Sequence, residues 1–171
     1  TLYFIPVIPL DKVGEYIECQ GCQGTYDTNV LQFDPKQAAM ETEAQYQIVM
    51  RQVMISMLLA DGSIDDAEVA ELISIFGEMT GRQLEEAMVR EEVSQIQATG
   101  GSILSRLKEV SEILNEHGKE KVVEGAYRIA AADGSIADEE QALLGQIAEA
   151  LGLSASHFKG IMATLMSGDR I

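Results

Sequence analysis

Asp61, Gly62, Ser63 and Ile64 return as Asp133, Gly134, Ser135 and Ile136, 72 residues later, and each run is followed by a glutamate, Glu68 and Glu140. Acids spaced around a glycine are the raw material of a hard-cation site. A calcium loop of the EF-hand kind takes an acid at position 5, Gly at 6, an apolar residue at 8 and Glu at 12. Asp61, Gly62, Ile64 and Glu68 fit that back half, and so do Asp133, Gly134, Ile136 and Glu140. The front half is missing, because Met57 and Leu59, then Ile129 and Ala131, stand where side-chain oxygens belong. Each loop alone is therefore a poor cage. Brought together, with the Ser63 and Ser135 carbonyls, the two loops offer a shared oxygen site for Ca2+, Mg2+ or Mn2+.

A purely structural reading competes with this. Gly62 and Gly134 supply the positive φ that ends a helix. Ile64 and Ile136 tuck each loop onto a core. Asp65 caps the next helix while Glu68 reaches back to it, a capping box. The second copy fits less well, because Ala137 replaces Asp65 and cannot cap. Asp61 and Asp133 also sit where a helix dipole disfavours a carboxylate. A cation, or a basic side chain, would account for their presence.

Cys19-Gln20-Gly21-Cys22 is a second constellation, with the spacing of a metal knuckle. It is half of a four-thiolate site, and the chain has no other cysteine. Zinc here requires ligands that a single copy of this sequence lacks and that two copies would supply; the reading the pattern favours over that is a free dithiol or a disulfide of little consequence. Redox chemistry wants such a pair at the start of a helix in a βαβ setting, whereas this pair falls between short strands.

No enzyme signature accompanies these features. There is no Gly-rich phosphate loop, Gly-x-Ser-x-Gly elbow or His-Glu-x-x-His. His117 is expected to cap a helix C-terminus, and His157 to lie in the first turn of the last helix. Glu85-Glu86, Glu91-Glu92 and Glu139-Glu140 read as solvated helix faces. The expectation is a protein that is not an enzyme.

The elements that must position these residues come in two styles. Residues 1–36 read as strand and turn: an edge strand through Thr1 to Leu10 interrupted by two prolines, a short strand over Gly14–Cys19, and a third over Thr25–Leu31. From Gln37 onward Ala, Glu, Gln, Met and Leu dominate, and no proline follows Pro35. Seven helices are expected, near 38–60, 65–79, 82–98, 102–116, 119–132, 138–151 and 154–167. Val49, Val53, Met57 and Ala60 form one apolar stripe, and Leu104, Leu107, Val110 and Leu114 another. The shift that superposes the loops also lays Asp66 on Asp138, Leu72 on Leu144 and Ile75 on Ile147. Helices one to three thus match helices five to seven, and helix four bridges them. One copy alone would leave an apolar face bare, so the expected fold is all-α, with an internal pseudo-two-fold duplication around one core.

Twelve basic against 28 acidic residues give a formal charge of −16, which opposes binding to nucleic acid or an anionic bilayer. Cations or basic partners suit it better. No run is long and apolar enough to insert in a membrane, and no secretory leader is visible, so the expected compartment is the cytoplasm.

The repeated Ala-Asp-Gly-x-Ile-x-x-x-Glu over residues 40–168 resembles the tellurite-resistance TerB family. That resemblance implies an all-helical domain over 37–171, a stress-resistance setting, and an acidic metal cluster. Carried onto this chain, the cluster comprises Asp61, Asp65, Glu68, Asp133 and Glu140, with Asp138 substituting for the acid missing at Ala137. Residues 1–36 are similar to the second half of a zinc-ribbon module, with Cys19 and Cys22 as its knuckle and its other Cys-x-x-Cys not in this sequence. Three functions compete: a divalent-cation-binding domain; an acidic module that binds a basic protein or a membrane-associated complex through structural loops; and, furthest from the pattern, a metal-dependent hydrolase.

Overall fold

The computed structural model describes residues 15–60, 62, 64–100 and 102–169. It contains two compact units, Thr1–Ala39 and Met40–Ile171. Within the first, β1 (Tyr16–Glu18) pairs antiparallel with β2 (Thr25–Asp27), Ile17 opposite Tyr26. A 3-10 turn follows over Thr28–Gln32, capped by Asp27, whose carboxylate accepts from Asn29 N–H at 2.9 Å. The strand expected over Thr25–Leu31 is therefore cut short, since this aspartate cap closes a turn where pairing would have continued. The strand expected over residues 1–10 lies outside the described residues.

Seven helices follow among the described residues: α1 (Pro35–Leu58), α2 (Asp66–Thr80), α3 (Glu86–Thr99), α4 (Ile103–Val110), α5 (Glu116–Ala130), α6 (Asp138–Ala150) and α7 (Ala155–Met166). The start of α1 explains Pro35. Asp34 accepts the Lys36 N–H at 2.8 Å, and proline takes the next position, where it has no donor to lose. No described helix is long and apolar enough to cross a membrane.

One hydrophobic cluster unites both copies. Val49, Val53 and Met57 of α1, Leu72 and Ile75 of α2, Val122 and Ile129 of α5, and Leu144 and Ile147 of α6 are all buried in it. Packing crosses the duplication where α2 meets α5, the bridging α4 packs on α6, and within the second copy α5 packs against both α6 and α7. Each such side chain contributes about 1.5–3 kcal/mol by leaving water.

Two expectations need correction around α4. The helix stops at Val110 rather than running to residue 116. Turns from Ile113 and Leu114 N–H to the Val110 carbonyl keep Leu114 buried, while Asn115 begins the next helix by accepting the Gly118 N–H at 2.8 Å. An amide side chain that satisfies an orphan N–H competes with helix continuation. His117 is consequently in the first turn of α5 and does not cap a helix C-terminus.

Candidate functional site

The two repeated loops are built with matching backbone bonds. Ala60 and Gly62 N–H donate to Met57 and Leu59 carbonyls, and Ala132 and Gly134 N–H donate to Ile129 and Ala131 carbonyls. Gly62 and Gly134 have φ of 100° and 89°, where any side chain would be strained. Ile64 and Ile136 pack against the core. The chain then turns into α2 and α6.

The first loop closes with a full capping box. Asp65 Oδ1 accepts from Ala67 N–H at 2.8 Å and Glu68 N–H at 2.9 Å, and Glu68 Oε2 accepts from Asp65 N–H at 2.7 Å. The second keeps only the returning half, Glu140 Oε2 accepting from Ala137 N–H at 2.8 Å. Glu140 is thus retained for a structural reason although its reciprocal acid is gone. Asp133 also has a local partner, accepting from Ser135 N–H at 2.9 Å. This bond offsets part of the unfavourable dipole at the end of α5.

Between the copies lies a cleft of about 230 Å³. Its rim carries Glu68 and Glu71 from α2 and Asp133, Ser135 and Glu140 from the second loop and α6; its floor is apolar, with Met57, Leu58, Ile129, Ala130 and Ile136. The duplication therefore does bring acids of both copies to one place. Of the residues expected there, Glu68, Asp133 and Glu140 line the cleft. Asp65 and Asp138 are exposed and do not, and Asp61 lies outside the described residues. Glu71 was not anticipated. The available signal was its spacing of three from Glu68, which places both on one face of α2.

The donor chemistry suits a hard cation, since every polar group in the cleft offers oxygen. Glu68 and Glu140 each use one carboxylate oxygen on the backbone and leave the other without a hydrogen-bond partner among the described residues. Still, no three metal-ligating side chains among the described residues are grouped closely enough to hold one ion.

Both histidines meet Glu120 elsewhere, and His157 Nδ1 also lies 3.7 Å from Glu116 Oε2. His157 Nε2 lies 2.7 Å from Glu120 Oε1, and His117 Nδ1 lies 3.9 Å from Glu120 Oε2. The contact joins α7 to α5. A wider cleft of about 410 Å³ is lined by Glu43, Tyr46, Met79, Ile113, His117 and Lys121, among others. Burial, assisted by the charges of Glu43 and Glu124, pushes the Tyr46 phenol up to about 12.

In the first unit, Cys19 and Cys22 are free and flank the hairpin turn. Cys19 N–H donates to the Gly24 carbonyl at 2.9 Å, and Gln23 N–H donates to the Cys19 carbonyl at 2.8 Å. Gln23 takes the left-handed conformation, φ 57°, to make this turn. The Cys22 thiol is held below its usual range by the Gly24 N–H first, then by the Tyr26 hydroxyl and Cys19.

An all-helical, internally duplicated domain with acids of both copies around one cleft is a narrow class. The family model for "Tellurite resistance protein TerB" matches residues 47–163, which cover the duplicated loops and the helices on either side. The chain belongs to the TerB family. No curated protein and no solved structure gives a significant match.

Proposed function

We propose that this chain is a non-enzymatic TerB-family domain of a tellurite- or stress-resistance system, acting in the cytoplasm, that takes a divalent cation at the cleft between its repeated loops. The observation that carries the reading is that Glu68, Asp133 and Glu140, acids from both copies, line one cleft, where they would have to draw closer to share an ion. Each accepts a backbone N–H through one carboxylate oxygen, which anchors it near the cleft. Asp61 is the natural further ligand by its place in the repeat. The absence of a phosphate loop, a nucleophile elbow or a zinc-protease motif supports a binding role rather than a catalytic one.

Calorimetric titration of metal-stripped protein with Ca2+, Mg2+ and Mn2+ tests this. Saturable binding is expected, at least about 10-fold weaker in the Asp61→Asn, Asp133→Asn double variant, a loss of about 1.4 kcal/mol. A double variant that titrates like the parent sinks the idea.

The apolar floor favours a second reading, in which the cleft receives a basic side chain of a protein partner. The stem of a Lys or Arg would lie on Met57, Leu58 and Ile136, with its charge at the acidic rim. A partner from a membrane-associated complex fits this as well as a free one. Binding of that kind weakens as salt rises, and a partner held equally at low and high salt argues against it. The hairpin of Cys19 and Cys22 we read as half of a zinc-ribbon-like module. The bonds that shape its turn and lower the Cys22 thiol are of the kind a thiolate knuckle needs.

A further inference from the structure

The hairpin of Cys19 and Cys22 carries a second kind of chemistry, which uses no residue of the acidic cleft. Redox motifs hold their attacking thiol low with the N-terminus of a helix, and the described helices all begin after this turn. Other donors stand in its place. The Gly24 N–H, then the Tyr26 hydroxyl and the Cys19 thiol, hydrogen-bond the Cys22 sulfur and hold its thiol below the usual range. Tyr26 Oη lies 3.6 Å from Cys22 Sγ, and once the thiol has ionised only the phenol has a proton to give. Gly24 makes room for this contact. A Cβ there would meet Tyr26 Oη at 3.1 Å and the ring carbons Cε2 and Cζ at 3.2 and 3.3 Å.

The two sulfurs are also differently placed. Cys22 is exposed and Cys19 partly buried, and both are free. Cys19 N–H donates to the Gly24 carbonyl and Gln23 N–H to the Cys19 carbonyl, so backbone bonds hold the pair in one tight turn. The Cys19 thiol already reaches the Cys22 sulfur, so an S–S bond between them stays within that turn. An open sulfur held toward its thiolate, with a second thiol beside it, is the arrangement of an attacking and a resolving cysteine. Each of these groups lies between Cys19 and Tyr26, so the arrangement is complete within the described residues.

We propose that Cys19 and Cys22 form a reversible dithiol–disulfide couple that reacts with small disulfides, Cys22 attacking and Cys19 resolving. The Cys22 thiolate attacks one sulfur of R–S–S–R. A mixed disulfide forms, and one R–S− leaves and takes up the proton that Cys22 lost. The Cys19 sulfur then gives up its proton and attacks Cys22. The Cys19–Cys22 bond forms, and the second R–S− leaves with that proton. Two protein thiols are oxidised, and one small disulfide is reduced to two thiols. The couple goes beyond the cation-binding reading and does not depend on it, and it gives the hairpin a chemistry that a metal knuckle would block.

Reduced protein, with and without a chelator, would be mixed with oxidised glutathione and followed by intact mass and by glutathione release across pH. The parent is expected to end as an internal disulfide, with both halves of the glutathione disulfide released. Cys19→Ser should stop at a mixed disulfide on Cys22, and Cys22→Ser should lose most of the reaction. Tyr26→Phe should move the rise of the first step to higher pH. At neutral pH it should be slowed about 3-fold for each pH unit of that displacement, because the thiolate lost outweighs the nucleophilicity gained. Gly24→Ala keeps the hydroxyl and should act the same way, by pushing the ring aside. A parent that stops at the mixed disulfide would overturn the proposal, as would Cys22→Ser reacting as fast as the parent or a Tyr26→Phe profile that superposes on the parent's. Reaction only in chelator would mean that a metal holds the thiols, which overturns the couple and spares the ribbon-like reading.

Discussion

The two copies of the loop share a backbone and differ in how their acids are used. In the first, Asp65 and Glu68 satisfy each other's backbone N–H groups, and Asp66 is bound by Arg90 at 2.6 Å. In the second, Ala137 has no side chain to cap with, Glu140 holds half a cap, and among the described residues Asp133 is tied to its own Ser135. The start of α2 is thus capped by Asp65 and Glu68 together, whereas at the start of α6 Glu140 acts without a reciprocal acid. Divergence within a duplication is informative for that reason. The backbone bonds common to both copies mark what the turn requires, and the difference marks where selection for something other than folding can act.

The comparison extends to the core, and there its largest test lies. Leu72 and Leu144 are equivalent by the repeat, and both are fully buried. Leu72→Ala and Leu144→Ala should each cost about 2–5 kcal/mol by transfer and cavity terms. With one shared core, each variant lowers a single cooperative transition seen alike by circular dichroism and fluorescence-reported thermal unfolding. Two transitions, with each variant shifting only one, would break the idea that the copies fold as a unit.

Tyr46 separates the copies differently, since its repeat counterpart is Gly118. Its phenol is raised from 10.0 to about 12, chiefly by burial. The folded state therefore holds the proton more tightly than the unfolded chain. The stability this confers is present below pH 10 and is lost as pH climbs through about 12, by an amount on the order of 1 kcal/mol once partial exposure is allowed for. Denaturant unfolding between pH 9 and 12 should show a decline that Tyr46→Phe lessens. Equal slopes in parent and variant would remove Tyr46 from the alkaline behaviour.

The parts of this picture that were legible in the sequence are those governed by local rules. Helix formers, the glycines and the repeat located seven helices and both loops, because Gly62 and Gly134 need a backbone few other residues tolerate. Val49, Val53 and Met57 announced the face of α1 that is buried. The early end of α4 was hidden, because Asn115 competes only once Gly118 N–H is within reach. In the cleft, Glu68, Asp133 and Glu140 were readable as repeated letters, whereas Glu71 has Leu143 as its counterpart and drops out of any argument from repetition. Asp65 failed in the opposite way. It matches the acid pattern, but its oxygen is committed to the start of α2.

That commitment can be moved from one copy to the other. Asp65→Ala should cost about 1 kcal/mol by losing the cap. Ala137 already has the extended conformation of an N-cap, φ −70° and ψ 159°, so Ala137→Asp should complete the box with Glu140. Its gain should fall short of the loss at Asp65, because the new carboxylate joins Asp133 and Glu140. Added divalent cation should narrow that gap if the cleft holds one. Thermal unfolding of both variants, with and without Mn2+, reads the two effects together. Destabilisation by Ala137→Asp would mean that like-charge repulsion outweighs the cap.

The smallest effect expected concerns Asp66 and Asp138, which occupy the same first helical position in α2 and α6. Both favour the helix dipole, so Asp66→Asn and Asp138→Asn share that loss. Asp66 additionally meets Arg90, whose guanidinium also binds Glu86 at 2.8 Å and is held further toward its charged form by both acids. The pair is open to solvent, and such pairs contribute little. Asp66→Asn should therefore lower the unfolding temperature only slightly more than Asp138→Asn, and about 0.5 M salt should erase the difference by screening. The cation titration sharpens this last contrast. Asp138 lies off the cleft, so Asp138→Asn should leave divalent-cation affinity unchanged while Glu140→Gln reduces it. If Asp138→Asn weakens binding as much as Glu140→Gln does, Asp138 reaches the ion after all, and it stands in for the acid that Ala137 lacks.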